Sequence, residues 1–318
     1  MKFFARSSSQ LSTAPAERRA RQMGTLVQQR VYGIGGERAC AEAHAEIARL
    51  EALWSVFRED SEICQLARCA GRSSILVHED TFAVLAQAMQ LHGLSGGAFD
   101  ITAGPLLKLW RQAAQRDSLP EPEELAAARA LVGIHDLVLG PGCSAQLGRK
   151  GQSIDLGAIG KGYAADRCLE LYRQQGVRHA LIDLGGNVAA LGCRPDGAAW
   201  RVGIQAPGRP RGEWFGYLEV TDSSIVTSGS YERGYEVAGQ RYSHVLDPRT
   251  GVPVSNAVLS ATVMADSSTF ADGLSTACLI LGVERSLELA NALGAEVLLL
   301  DEAGVHATAG IAQVFHAA

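Results

Sequence analysis

The sequence predicts an α+β fold, a mixed-sheet core with flanking helices. Helical and strand periodicities are both present, but they do not follow the strict strand–helix–strand alternation of a doubly wound sheet. Beyond residue 180 the chain is dominated by short strands, interrupted by two helical stretches near 269–281 and 284–293. With 318 residues, 47% hydrophobic and 20% charged, the chain is long enough for a large core, in one domain or two closely joined lobes.

Residues 1–22 combine serines with Arg18, Arg19 and Arg21 and are expected to be weakly ordered, ahead of a single domain over 23–318. Alternation from Met23-Gly24-Thr25 to Tyr32 predicts the first strand. Ala43, Ile47, Leu50, Trp54 and Phe57 recur at helical spacing. A second helix is expected from an Asp80 cap to Leu94, and a third opens after the 96–105 loop and runs through Trp110. Residues 117–127 predict an exposed excursion with a short helix, followed by strands near 135–140 and 145–149. A glycine-rich entry over 154–162 leads into a helix ending near Gly176, and Ala180 to Leu184 predicts a strand stopped by Gly185-Gly186-Asn187. A final hairpin turns at Ala303-Gly304.

Composition excludes several classes. A net charge of −5 gives no basic surplus for nucleic acid or an anionic membrane, and no stretch is long enough to span a bilayer. The seven scattered cysteines have neither CxxC nor zinc spacing, which fits thiols in a reducing compartment. No uninterrupted apolar core marks a signal peptide, so a cytoplasmic location is expected. Gly160-Lys161-Gly162 lacks the hydroxyl residue and upstream glycine of a phosphate loop. Gly33-Ile34-Gly35-Gly36 lacks the third glycine of a dinucleotide fingerprint, and neither a zincin histidine pair nor a GxSxG elbow occurs.

Three segments remain as candidates. The run from Asp155 to Asp166 brings three glycines and Lys161 to a helix start, where backbone amides suit phosphate; an ordinary strand-to-helix turn with a surface lysine explains it equally. Asp272 and Thr276 lie one turn apart on a helix face, so both oxygens can meet one hard cation. The same pair is also served by a capping aspartate and a threonine bonded back to a carbonyl. His244 precedes the Asp247-Pro248-Arg249-Thr250-Gly251 turn, where an imidazole can act as general base or be structural.

The order of the motifs adds what each lacks alone. Met23-Gly24-Thr25, 97–110 (GAFDITAGPLLKLW), 154–166 (IDLGAIGKGYAAD), 182–187 (IDLGGN), 228–233, 244–253 (HVLDPRTGVP) and 271–276 resemble the ApbE family of FAD:protein FMN transferases, from Met23 to past Thr276. The resemblance implies a magnesium-dependent enzyme that moves the FMN half of FAD onto a Thr or Ser of a target flavoprotein and releases AMP. It implies a flavin cleft lined by Met23, Ala98, Phe99, Asp100, Asp155, Lys161 and Leu246. It places Mg2+ on Asp272, Thr276 and the carbonyl of Ala158, and makes His244 the catalytic histidine; the chemistry then makes His244 the candidate base for the acceptor hydroxyl, with Asp247 as candidate orienter. Two departures stand out: Leu66 is followed by Ala67 where the family often carries asparagine, and the family's frequent export signal is not seen. FAD hydrolysis to FMN and AMP, and flavin binding without catalysis, remain alternatives.

Overall fold

The structure is a computed structural model that describes residues 14–318 apart from Arg211, Glu232 and Arg233. Its centre is an eight-stranded sheet in which every neighbouring pair is antiparallel. From edge to edge the strands are Ala16–Gln22, Thr25–Tyr32, His179–Leu184, Asn187–Leu191, Ser224–Gly229, Ser260–Ala265, Glu296–Asp301 and Gly304–Ala307. Spatial order equals chain order. Among the described residues, the other elements are inserted between successive strands of this meander, except for a helix and a short strand that follow Gly304–Ala307.

Helices Gly36–Trp54, Gly160–Gln174, Ser268–Leu281 and Val283–Leu293 cover one face, each touching the next. The other face carries a three-stranded sheet of Trp200–Gln205, Trp214–Val220 and Phe315–Ala317, together with helix Ala309–Val314. Sheet residues divide between these layers with a period of two. Val297 and Leu299 pack with Leu274 and Cys278 under the helices, while Leu298 and Leu300 pack with Trp200, Val202 and Leu218 on the opposite side. A strand buried on both faces reads as an unbroken apolar run, which is what Val297–Leu300 shows.

Several sequence expectations are corrected. Ala16–Gln22 is not weakly ordered but forms the edge strand, paired along its whole length with Thr25–Tyr32; residues 1–13 lie outside the described residues. The first helix stops at Trp54, because Ser55 turns extended at φ −64°, ψ 122°. Phe57 therefore leaves the apolar stripe and is 83% exposed. A short helix, Glu62–Cys69, follows, capped by Ser61 accepting from the Cys64 amide at 3.1 Å. The helix Glu79–Leu94 is capped by His78, not Asp80. Asp80 is instead buried, bonded to Arg49 and accepting from Tyr163 Oη at 2.8 Å.

One helix crossing brings the chain's distant motifs together. Helix Gly160–Gln174 crosses Ser268–Leu281 at Gly162, where a Cβ would lie 2.7 Å from the Ser268 carbonyl carbon and 2.8 Å from Asp272 Cβ. Asp166, a turn further on, accepts from the Ser268 amide at 2.8 Å, the Thr269 amide at 2.9 Å and the hydroxyls of Ser267 and Thr269. One carboxylate thus caps the helix that carries Asp272. Gly162→Ala is expected to destabilise the protein by about 1–3 kcal/mol despite alanine's better helix propensity, because the clash is with backbone that cannot swing away. Urea unfolding checks this; a midpoint at or above that of the wild type would contradict it.

Candidate active site

A cavity of about 1030 Å³ opens between the helix layer and the ends of the central strands. All eleven residues named from the sequence line it: Met23, Ala98, Phe99, Asp100, Asp155, Ala158, Lys161, His244, Leu246, Asp272 and Thr276. They come from five separate stretches of chain.

Two tight turns form one wall. Met23 (φ 49°) and Gly24 (φ 70°) link the first two strands, both residues in the left-handed region that a two-residue hairpin of this type requires. Gly185 and Gly186 (φ 68° and 94°) make the neighbouring turn, and a Cβ on Gly185 would lie 2.8 Å from Thr25 Cβ. The two turns nest only because position 185 has no side chain.

The 96–103 loop is held by its own polar groups. Ser95 Oγ accepts from the Phe99 amide at 3.0 Å, and Asp100 accepts from the Thr102 amide at 2.7 Å and its hydroxyl at 2.6 Å. The Asp155 amide donates to Ile101 O at 2.9 Å, tying this loop to the glycine-rich one. There, Asp155 accepts from the Gly157 amide at 2.8 Å.

Electrostatics concentrate at Asp272, which is 2% exposed. Its carboxylate accepts from Lys161 Nζ at 3.2 and 3.3 Å and from the Gly162 amide at 2.9 Å. Lys161 also donates to Gly157 O at 3.0 Å. One ammonium therefore contacts both the buried carboxylate and a carbonyl of the loop that carries Ala158. Thr276 Oγ1 lies 3.3 Å from the Asp272 carbonyl and 3.3 Å from Ser228 Oγ, which itself is 2.8 Å from Ser275 Oγ. The back-bonded threonine foreseen as an alternative is present, whereas the helix cap is Ser267 and not Asp272.

His244 follows the strand Gln240–Ser243 and is partly buried. Leu246 bridges to Pro253 and packs on Leu106 and Trp110, while Trp110 Nε1 donates to Gly251 O at 3.0 Å. Asp247 does not take the orienting role expected of it: its two carboxylate oxygens accept from Arg249, at 2.9 and 2.8 Å. Backbone bonds close the 247–252 turn itself, from the Asp247 amide to Val252 O at 2.9 Å and from the Gly251 amide to Asp247 O at 2.7 Å. Of the 228–233 motif, Glu232 and Arg233 lie outside the described residues.

Sequence reasoning missed other lining residues. Phe57 stands at the rim with the Arg111 guanidinium 5.5 Å from its ring centre, and Tyr235, whose pKa is raised by burial, lines the same cavity. Asn187 was visible within a motif but carried no assigned role.

The ApbE family model matches residues 23–299. The chain belongs to the ApbE family. It is 36% identical to the FAD:protein FMN transferase of Treponema pallidum, across 91% of this chain and 85% of that protein. It is 35% identical to the Vibrio cholerae enzyme of the same name, across 77% and 74%. Among solved structures, the flavin transferase ApbE from Vibrio cholerae superposes with a TM-score of 0.84 at 30% identity, covering 94% of this chain and 98% of that one. The Thermotoga maritima ApbE protein superposes at 0.87 with 27% identity, covering 94% and 99%. Among the described residues no helix is long and apolar enough to cross a membrane.

In this ApbE-family chain the cavity loop carries a pH-sensitive tie. His92 Nδ1 lies 3.3 Å from Asp100 Oδ2 and 3.0 Å from Phe99 O. The hydrogen bond to Asp100 raises the His92 pKa above 6.5, against burial. Burial alone would push Asp100 up, but the bonds from His92 and Thr102 together hold it below 3.8. The histidine's contribution is complete below 6.5 and is lost as pH rises through its elevated folded value. The aspartate's contribution is present above 3.8 and is lost as pH falls through its depressed value. An NMR titration should give His92 a midpoint above 6.5, falling in Asp100→Asn; an unmoved midpoint would refute the pairing.

Proposed function

We propose that this chain transfers the FMN moiety of FAD to a Thr or Ser hydroxyl of a target flavoprotein and releases AMP. The observation that carries the reading is the assembly, in one large cavity, of Lys161 and Asp272 at one corner with His244 on the wall. Membership of a family whose named relatives are FAD:protein FMN transferases supports it.

The residues at Asp272 suit a hard divalent cation such as Mg2+. Asp272 is a buried carboxylate already facing a positive charge, Thr276 adds a hydroxyl one turn on, and the 157–158 loop brings carbonyl oxygens. Among the described residues no cluster of three His, Cys, Asp or Glu side chains offers a softer, fuller ligand set. A single carboxylate with neutral oxygens leaves room for water and substrate phosphate, the usual habit of magnesium. Bound there, the cation would neutralise charge developing on phosphate oxygens.

The chain's own groups supply the rest. The acceptor hydroxyl attacks the FMN-side phosphorus, the bond from that phosphorus to the bridging oxygen breaks, and AMP departs with that oxygen. His244 takes the hydroxyl proton, turning a poor nucleophile into a competent one. Lys161 supplies positive charge beside the diphosphate. Met23, Ala98, Phe99 and Leu246 give the isoalloxazine an apolar bed, with Asp100 and Asp155 at its polar edges. The seven cysteines are free thiols, which supports a reducing, cytoplasmic setting.

Incubation with FAD, magnesium and an acceptor flavoprotein tests the reading. AMP should appear in step with flavin retained on the denatured acceptor. AMP with free FMN and an unlabelled acceptor would identify a hydrolase instead.

A further inference from the structure

Asn187 opens the fourth strand of the central sheet, directly after the Gly185–Gly186 turn, and is 0% exposed to solvent. Its Oδ1 accepts from Ser268 Oγ at 2.6 Å, which fixes the amide. The other end is unmatched: Nδ2 is buried and has no hydrogen-bond partner among the described residues. Asn187 is nevertheless one of the residues that line the large cavity, as are Gly186, Thr227 and Ser228. A buried amide donor is strongly disfavoured unless something accepts from it. A ligand that fills the cavity is one source of such an acceptor.

The position indicates which part of the substrate this is. Ser268, which holds the amide, lies one helical turn before Asp272, and Gly162 packs against both. Gly162 is adjacent to Lys161, whose ammonium sits on Asp272. The orphan donor thus lies near the cationic corner of the cavity, where an anionic oxygen is the matching acceptor.

We infer that Asn187 Nδ2 donates a hydrogen bond to a non-bridging oxygen of the FMN-side phosphate of FAD, making Asn187 a substrate-binding residue at the reacting phosphorus. This rests on the FAD reading of the cavity.

The test compares three ligands by flavin fluorescence with purified full-length protein: FAD, FMN and riboflavin, each with magnesium present. Asn187→Asp keeps an oxygen for Ser268 and the side-chain volume but replaces the donor with negative charge. Asn187→Ala removes both ends of the amide. FMN and FAD affinity should fall about 10-fold in the alanine variant and further in the aspartate variant. Riboflavin, which lacks phosphate, should bind all three proteins alike. This ordering separates a phosphate contact from loss of fold, because a misfolded cavity would lose riboflavin too. Equal losses for riboflavin and FMN would overturn the inference in favour of a ring contact or a structural role. Unchanged FMN affinity in Asn187→Asp would overturn it outright while leaving the FAD reading intact. A wild-type protein that binds neither FAD nor FMN would overturn that reading and this inference with it.

Discussion

Asp272→Asn should lower flavin transfer by about 10²–10³-fold or more and remove its dependence on magnesium. The substitution keeps the shape of a side chain that is 2% exposed and keeps an oxygen for the Gly162 amide. It removes the negative charge facing Lys161 and, on the proposed reading, the anionic ligand of the cation. Folding should survive, because the Lys161 ammonium remains partly exposed and keeps its bond to Gly157 O. Leaving an unpaired charge in a fully dry site would cost far more. The measurement is a transfer rate titrated with magnesium, with circular dichroism as the folding control. Wild-type protein treated with a chelator should fall toward the variant's rate. A variant with the wild-type magnesium response would remove Asp272 from the metal site.

His244→Ala should cost about 10²–10⁴-fold in transfer while leaving FAD affinity little changed. The imidazole lies on the cavity wall between the strand Gln240–Ser243 and the turn closed by Asp247, Arg249 and Gly251. On the proposed reading, its removal takes away the proton acceptor while leaving Asp272, Lys161 and the two nested turns in place. Because Asp247 is held by Arg249, Asp247→Asn should loosen the turn and is not expected to reproduce the His244→Ala defect. Single-turnover measurement with saturating FAD separates these effects. Normal transfer by His244→Ala, or an equal loss of FAD binding, would contradict a base role.

The periodic elements were legible in the sequence because their apolar stripes are internally consistent. The helix near 269–281, the 180–184 strand and the hairpin at 303–304 all stand close to where their patterns place them. The failures have physical causes. Ala16–Gln22 shows little apolar alternation, since an edge strand can be held by backbone pairing while its arginines face solvent. Phe57 continues a helical spacing that the backbone abandons at Ser55. Asp80 has the side chain of a helix cap, but tertiary partners, Arg49 and Tyr163, claim it.

The candidate site was legible through the order of its motifs more than through any one of them. Asp272 and Thr276 alone fit a back-bonded helix as well as a metal site, and the structure contains that back-bond. What sequence could not give is the meeting of Lys161 with Asp272, 111 residues apart, at a helix crossing that requires Gly162. Nor could it show that one amide end of Asn187 is left without a partner. Both depend on which surfaces face each other, and no local pattern records that.

Movement of FMN from FAD to a protein hydroxyl leaves a covalent mass on the acceptor. The most direct measurement is the intact mass of an acceptor flavoprotein after incubation with this protein, FAD and magnesium. The acceptor should gain one FMN less a water, mapped to a Thr or Ser, and should gain nothing with Asp272→Asn. An acceptor of unchanged mass, with FAD nonetheless converted to free FMN and AMP, would contradict it.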